Sequence, residues 1–265
     1  MPFTLDPARV ASAVVTPGRP PTLRTERALL ADGHVAVVGS DEVGRGALSG
    51  PVTAGVVVVD ASTRRQPAGL RDSKLLAPEE REALVPRIRR WAVAFAVGHA
   101  SAAEIDRFGI LAALRLAGER ALGKLPAPPT LVLLDGNYDW YTRPPCPRGD
   151  GGLGCGADPS GVRAVPGSVV LRVKADLACA SVAAASVLAK VERDRMMVEL
   201  SESYPDYGWH ENKGYSTPFH TAALRELGPC EEHRRSWRFA CLEGEQLELA
   251  LELSDPSGDP APARR

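Results

Sequence analysis

Two valine-rich runs separated by a glycine-punctuated acidic stretch constrain this chain more than any other feature. Val35, Val37 and Val38 read as a buried β-branched strand that runs into Gly39 and Ser40. Asp41 and Glu42 follow, then Gly44-Arg45-Gly46, a turn at Gly50-Pro51, and a second strand from Val52 to Val59. Neighbouring side chains on a strand point to opposite faces, so an acidic pair just past a strand normally straddles an edge. At a strand end that faces a cleft, both carboxylates can converge on one divalent ion. A solvated turn is the alternative for the pair taken alone. The glycines flanking Arg45 carry no Cβ and let backbone N–H groups approach a ligand closely.

The same alternation of strand and helix continues. Thr22 to Leu30 suits a short helix, and Pro78 to Arg90 a longer one with proline at its first position. Trp91 to Val97 predicts a third strand. Ser101 with Glu104 forms a capping box, and Ile110, Leu114, Ala117 and Ala121 fall on one helical face. Leu131 to Leu134 is an apolar strand that delivers Asp135, and Val169 to Val173 a last central strand that delivers Asp176. Cys179 to Leu200 is the longest predicted helix, its small residues allowing close packing on a sheet and Lys190, Glu192, Arg193, Asp194 and Arg195 marking its wetter end. Tyr204 to Tyr215 reads as an aromatic and polar loop, Thr217-Pro218 as the start of another helix, and Leu242 to Leu253 as a last, exposed one.

Three hydrophobic strands therefore end at acids: Asp41 with Glu42, Asp135, and Asp176. Clustered carboxylates raise each other's pKa and cannot all stay ionised without a cation. Hard oxygen ligands select Mg²⁺ or Mn²⁺. Asp176 also suits a simple N-cap for the helix that follows, and Asp72-Ser73-Lys74 a surface turn. The five cysteines have no extracellular or metal-binding spacing and read as reduced thiols. A net charge of −1 means that any nucleic-acid contact must come from a local patch. No run has the length of a membrane span, the first residues lack signal-peptide character, and the expected location is cytoplasmic.

The string DEVGRGALSGPV resembles the N-terminal signature of the type 2 ribonucleases H, the bacterial ribonuclease HII family. Asp72-Ser73-Lys74, Leu134-Asp135-Gly136-Asn137, the stretch from Leu171 to Asp176, Glu192-Arg193-Asp194-Arg195 and Lys213-Gly214-Tyr215 are similar to that family's later motifs, in order. Val43 and Ala47 depart mildly from the signature. The resemblance implies an α/β ribonuclease H-like fold: a mixed central sheet with flanking helices plus a C-terminal helical segment. It implies endonucleolytic cleavage of RNA paired with DNA and of single ribonucleotides in duplex DNA, by two Mg²⁺ or Mn²⁺ ions held on Asp41, Glu42, Asp135 and Asp176. Gly44, Arg45 and Gly46 would read the 2′-hydroxyl through their backbone. Lys74 and Lys213 would meet phosphates, and Tyr215 would pack on the next, deoxy, sugar. Solvated lysines and a core tyrosine are the alternatives. Asp194 suits an ion pair with an arginine.

The implied layout is a loose arm over 1–21, a catalytic domain over 22–200 with an exposed insertion at about 138–166, a substrate-binding helical segment over 201–253, and a disordered tail over 254–265. A monomer is expected, with a replication-clamp contact through the tail. A type 3 hybrid nuclease or a non-enzymatic hybrid-binding protein are the rival readings.

Overall fold

The computed structural model describes residues 19–142, 167–237 and 239. The elements are α1 (Arg24–Ala31), β1 (Ala36–Val43), β2 (Val52–Asp60), α2 (Pro78–Trp91), β3 (Ala94–Ala100), α3 (Ala102–Phe108), α4 (Ile110–Leu122), β4 (Leu131–Asp135), β5 (Ser168–Arg172), α5 (Ala175–Ala178), α6 (Ala180–Ser203), α7 (Trp209–Asn212) and α8 (Pro218–Leu227). The strands form one five-stranded mixed sheet in the order β3-β2-β1-β4-β5. The pairs β3–β2 and β2–β1 are antiparallel, and β1–β4 and β4–β5 are parallel.

Each face of the sheet is covered by a helix. On one side α6 lies against β1 and β2, burying Val37, Val57, Leu131 and Leu133 with Val182, Ala184 and Val187. Its small residues bring it so close that a Cβ on Gly39 would sit 2.3 Å from Ser181 Oγ, and one on Gly55 2.3 Å from the Ala185 carbonyl. Glu26, fully buried in α1, fixes the start of α6, because its Oε1 accepts both the Ser181 N–H and O–H at 2.8 Å. On the other side α4 packs Leu114, Ala117 and Ala121 on Val38, Val56 and Leu134. Beyond the far end of α6, Met197, Tyr207, Trp209, Leu224 and Phe239 form a smaller core that anchors α7 and α8.

Several boundaries differ from expectation. Val35 is exposed, and β1 begins at Ala36 and runs on through Asp41 and Glu42, because β2 pairs with it from Ala36↔Asp60 to Val43↔Thr53. The acidic pair thus lies inside a strand. Helix α2 carries on past Pro86 to Trp91, held by buried Leu84, Val85 and Ile88, so β3 starts only at Ala94. The stretch 204–215 contains a 3₁₀ turn, Pro205–Tyr207, and α7. Trp140 and Tyr141, placed in the expected insertion, are core residues. The Ser101–Glu104 capping box and the Thr217 cap form as predicted. Cys179 and Cys230 are free thiols. The arm as far as residue 18, most of the insertion (143–166), the helix at 242–253, the tail and the other cysteines lie outside the described residues.

Candidate active site

The register of the parallel strands builds the site. Ser40 in β1 lies beside Leu134 in β4, so the next residues, Asp41 and Asp135, emerge together where the strands open toward the loops. Asp135 then accepts the Ala175 N–H through Oδ1 at 2.6 Å, which draws in the α5 turn carrying Asp176. Asp176 precedes α6 but does not cap it: α5 intervenes, and the N-cap of α6 is Cys179 in an extended conformation.

Strand alternation places Asp41 on the α6 side with Val37 and Gly39, and sends Glu42 the other way with Val38 and Ser40. Asp41 is 3 % exposed; its Oδ1 accepts the Glu42 N–H at 2.8 Å, while Oδ2 is buried with no hydrogen-bond partner. Burial, with repulsion from Glu42, Asp135 and Asp176, pushes the Asp41 carboxyl well above the usual range, offset in part by the neighbouring Ser186 hydroxyl. Burial also raises Glu42, against the pull of Arg45, whose Nη1 lies 3.5 Å from Glu42 Oε1. Asp135 is raised by burial and by Asp176.

These groups are electrostatic neighbours in which the carboxylates outnumber the cations Arg45 and Lys74. Among the described residues no three His, Cys, Asp or Glu side chains close into a ready metal cage. The donor chemistry nevertheless fits a hard divalent cation: all-oxygen, anionic, desolvated, with one carboxylate oxygen left without a partner.

Lys74 supplies the nearest ammonium. Its Nζ lies 3.3 Å from Asp176 Oδ2 and 3.9 Å from Asp72 Oδ1. Burial works against its charge, but Asp72, Asp41 and Asp176 prevail and hold its pKa above the ordinary range. Asp72, 6 % exposed, is a fifth carboxylate of the cluster, raised by burial and by Asp176. The sequence presents it as a turn residue and as the first member of the Asp72-Ser73-Lys74 motif, without a place among the acids.

The Gly44-Arg45-Gly46 loop leaves the end of β1 with Arg45 and Gly46 exposed. Tyr215 approaches from the C-terminal segment, its ring centroid 5.3 Å from the Arg193 guanidinium and 5.5 Å from Lys190 Nζ. The Gly214 carbonyl accepts the Leu48 and Ser49 N–H groups at 2.8 and 3.3 Å, tying the two stretches together. Lys213 takes a left-handed backbone (φ 51°), and its ammonium folds back onto the His210 carbonyl. Burial lowers the Lys213 pKa.

Behind Tyr215 runs a chain of buried imidazoles. His220 Nδ1 donates to the Tyr215 carbonyl at 2.9 Å, because a carbonyl can only accept. His220 Nε2 therefore accepts, from Trp209 Nε1–H at 3.2 Å and from His233 Nε2–H at 3.1 Å. His233 Nδ1 in turn accepts the Cys230 N–H at 3.1 Å. Asp194 pairs first with Lys190, at 2.7 Å, and more loosely with Arg81, at 3.8 Å.

Arg193 is the largest departure from the sequence reading, which puts it on the wet end of α6. It is fully buried, as is Arg234. Helical spacing carried the signal, since Ala189, Arg193 and Met197 recur every four residues on the buried face.

A mixed sheet whose adjacent parallel strands bring acids side by side, backed by one long helix, defines the ribonuclease H class of α/β fold. A ribonuclease H2 from Pyrococcus horikoshii superposes with a TM-score of 0.57 at 25 % identity, over 80 % of this chain and 99 % of that one. The sequence matches the family described as Ribonuclease HII over residues 38–240. Ribonuclease HII of Streptomyces coelicolor is 47 % identical over 224 residues, 84 % of this chain and 86 % of that protein. Ribonuclease HII of Cereibacter sphaeroides is 45 % identical over 213 residues, 80 % of this chain and 89 % of that protein. The chain belongs to the ribonuclease HII family. Among the described residues no helix is long and apolar enough to cross a membrane.

Proposed function

We propose that this chain cuts on the 5′ side of single ribonucleotides embedded in duplex DNA, as well as within longer RNA·DNA hybrids, leaving 3′-hydroxyl and 5′-phosphate ends. As a type 2 ribonuclease H it is an endoribonuclease and a metal-dependent hydrolase. The observation that carries the finer reading is the emergence of Asp41 and Asp135 side by side from adjacent parallel strands, with Asp176 drawn in through Ala175.

Asp41, Glu42, Asp135 and Asp176 would hold two Mg²⁺ or Mn²⁺ ions, which supply an activated water and neutralise charge on the leaving oxygen. The chain's own residues do the rest. Burial and mutual repulsion raise the carboxyls of Asp41 and Asp135, a cost that a bound cation would relieve. Lys74 is placed to leave Asp176 for a backbone phosphate, trading one anionic partner for another. The exposed loop at Arg45 and Gly46 offers backbone groups to the 2′-hydroxyl, the group that separates RNA from DNA at one position. Tyr215 presents a ring to the adjacent sugar, Lys213 a charge to its phosphate, and the segment 201–253 one wall of the groove. A sliding-clamp contact through the tail is a further part of this proposal.

The test is cleavage of a duplex carrying one ribonucleotide, with Mg²⁺, Mn²⁺ or EDTA, and mapping of the product ends. Cleavage 5′ of the ribonucleotide that stops with EDTA is expected. Asp135→Asn, which removes charge but keeps shape, should lower turnover about a thousandfold, equivalent to about 4 kcal/mol. Near wild-type turnover by a folded Asp135→Asn would overturn the assignment of the acids.

A further inference from the structure

Two fully buried guanidinium groups lie beneath the Gly44–Pro51 loop, and both are held by backbone carbonyls. Arg234 donates to Gly44 O at 2.6 Å, Arg45 O at 2.9 Å, Gly50 O at 3.2 Å and Pro51 O at 3.3 Å. Arg193 donates to Pro51 O at 2.8 Å, Lys213 O at 2.9 Å and Ser49 O at 3.2 Å. Neither arginine makes a carboxylate ion pair among the described residues. Burial, and then the neighbouring Arg193, brings the Arg234 pKa down to about 9. Two like charges buried together are costly, so simple stapling of a loop is a poor account of them.

Peptide geometry gives a better one. A trans peptide aims its N–H opposite to its C=O, and no peptide among the described residues is cis. With the carbonyls of Gly44 and Arg45 drawn inward onto Arg234, the N–H groups of Arg45 and Gly46 must point outward. Neither N–H has a hydrogen-bond partner among the described residues. Gly44, at φ 84°, lies so tightly on Arg193 that a Cβ there would fall 2.1 Å from Nε. The same Arg193 holds the Lys213 carbonyl and stacks its guanidinium near the Tyr215 ring. One rigid buried pair therefore sets both the direction of the loop amides and their spacing from Tyr215.

We propose that Arg193 and Arg234 are the specificity-positioning residues of this enzyme: they present the Arg45 and Gly46 amides as preorganised donors to the ribose 2′-hydroxyl and fix Tyr215 relative to them. The proposal rests on the loop-and-tyrosine reading given above. The pair touches no substrate and acts through the loop.

The experiment measures binding without cleavage, with Ca²⁺ in place of Mg²⁺, of two duplexes differing in one 2′-hydroxyl. The proteins are wild type, Arg234→Met, Arg234→Lys and Arg193→Lys, each checked for a cooperative melt. Wild type should prefer the ribonucleotide duplex. Arg234→Met should lose about tenfold of that preference, one hydrogen-bonded contact's worth, with affinity for the all-DNA duplex unchanged. Arg234→Lys should lose it too, since an ammonium cannot span the carbonyls of Gly44, Arg45 and Gly50 together. If Arg234→Met does not fold, Arg234→Lys and Arg193→Lys decide alone. A folded set of variants that keeps full wild-type preference overturns the proposal while leaving the loop reading intact. Wild type with no preference between the duplexes overturns the loop reading, and this proposal with it.

Discussion

Lys74 Nζ sits 3.3 Å from Asp176 Oδ2 and 3.9 Å from Asp72 Oδ1, a cation already seated among the site's carboxylates. It competes for the same charge that a divalent ion would neutralise, and on the proposed reading it also reaches a backbone phosphate. Lys74→Met should therefore have opposite effects on two ligands. Mn²⁺ binding to the free enzyme, followed by electron paramagnetic resonance, should tighten, and KM for the nucleic-acid substrate should rise. Each change should be about three- to tenfold, since the ammonium is largely solvent-exposed and screened. Weaker Mn²⁺ binding in the variant would make Lys74 a support for the metal ligands instead.

Tyr215 should distinguish substrates by what lies next to the cut. On the proposed reading its ring would meet a deoxy sugar on a lone ribonucleotide and a ribose on a continuous hybrid. Tyr215→Ala should lower kcat/KM on the lone ribonucleotide about tenfold more than on the hybrid, the scale of one ring contact worth about 1.4 kcal/mol. Equal losses on both would reduce Tyr215 to a packing residue.

The imidazole chain makes stability depend on acid. Burial, with His220 and Arg235 adding to it, lowers His233 to about 4, below the 6.5 it would have when unfolded. The folded state therefore favours the neutral ring. The associated stability is complete above pH 6.5 and is lost as pH falls toward 4, up to about 3 kcal/mol in all. Urea midpoints between pH 7.5 and 4.5 should fall for wild type, and the fall should be shallower for His233→Gln. Identical slopes for the two proteins would place the acid sensitivity elsewhere.

Close packing of α6 on the sheet sets a second limit. Gly39→Ala would put a methyl 2.3 Å from Ser181 Oγ and 2.5 Å from its backbone carbon. The helix would have to lift, at a cost of about 2–3 kcal/mol, or about 5–10 °C in Tm. Differential scanning calorimetry checks this, and an unchanged Tm would mean that α6 can shift freely.

The strands and their terminal acids were legible because hydrophobic runs and the polar residues that end them are local signals. Asp41, Glu42, Asp135 and Asp176 stand in the string itself, and the parallel register merely brings their strands together. Arg193 and Arg234 were not legible in the same way. An arginine within ERDR or HRRS looks solvated until the fold gathers loop carbonyls around it, those of Ser49 and Pro51 on Arg193 and those of Gly44, Arg45, Gly50 and Pro51 on Arg234. Those carbonyls belong to sequence more than a hundred residues away. The N-cap alternative for Asp176 rested on its proximity to α6, and a four-residue helix that no periodicity announces moves it off that position.

Helix α6 leaves Glu26 at Ser181 and reaches the Gly44 loop at Arg193, and these two fixed points lie on one uninterrupted rod of 24 residues. The span from Ser181 to Arg193 is ~18 Å at the rise of an α-helix. Inserting or deleting a single residue between them would swing Arg193 by roughly 100° about the axis, taking it out from under the loop altogether. Relatives of this chain are thus free to differ in the lengths of their surface connections, but gaps in an alignment should be absent between these two positions.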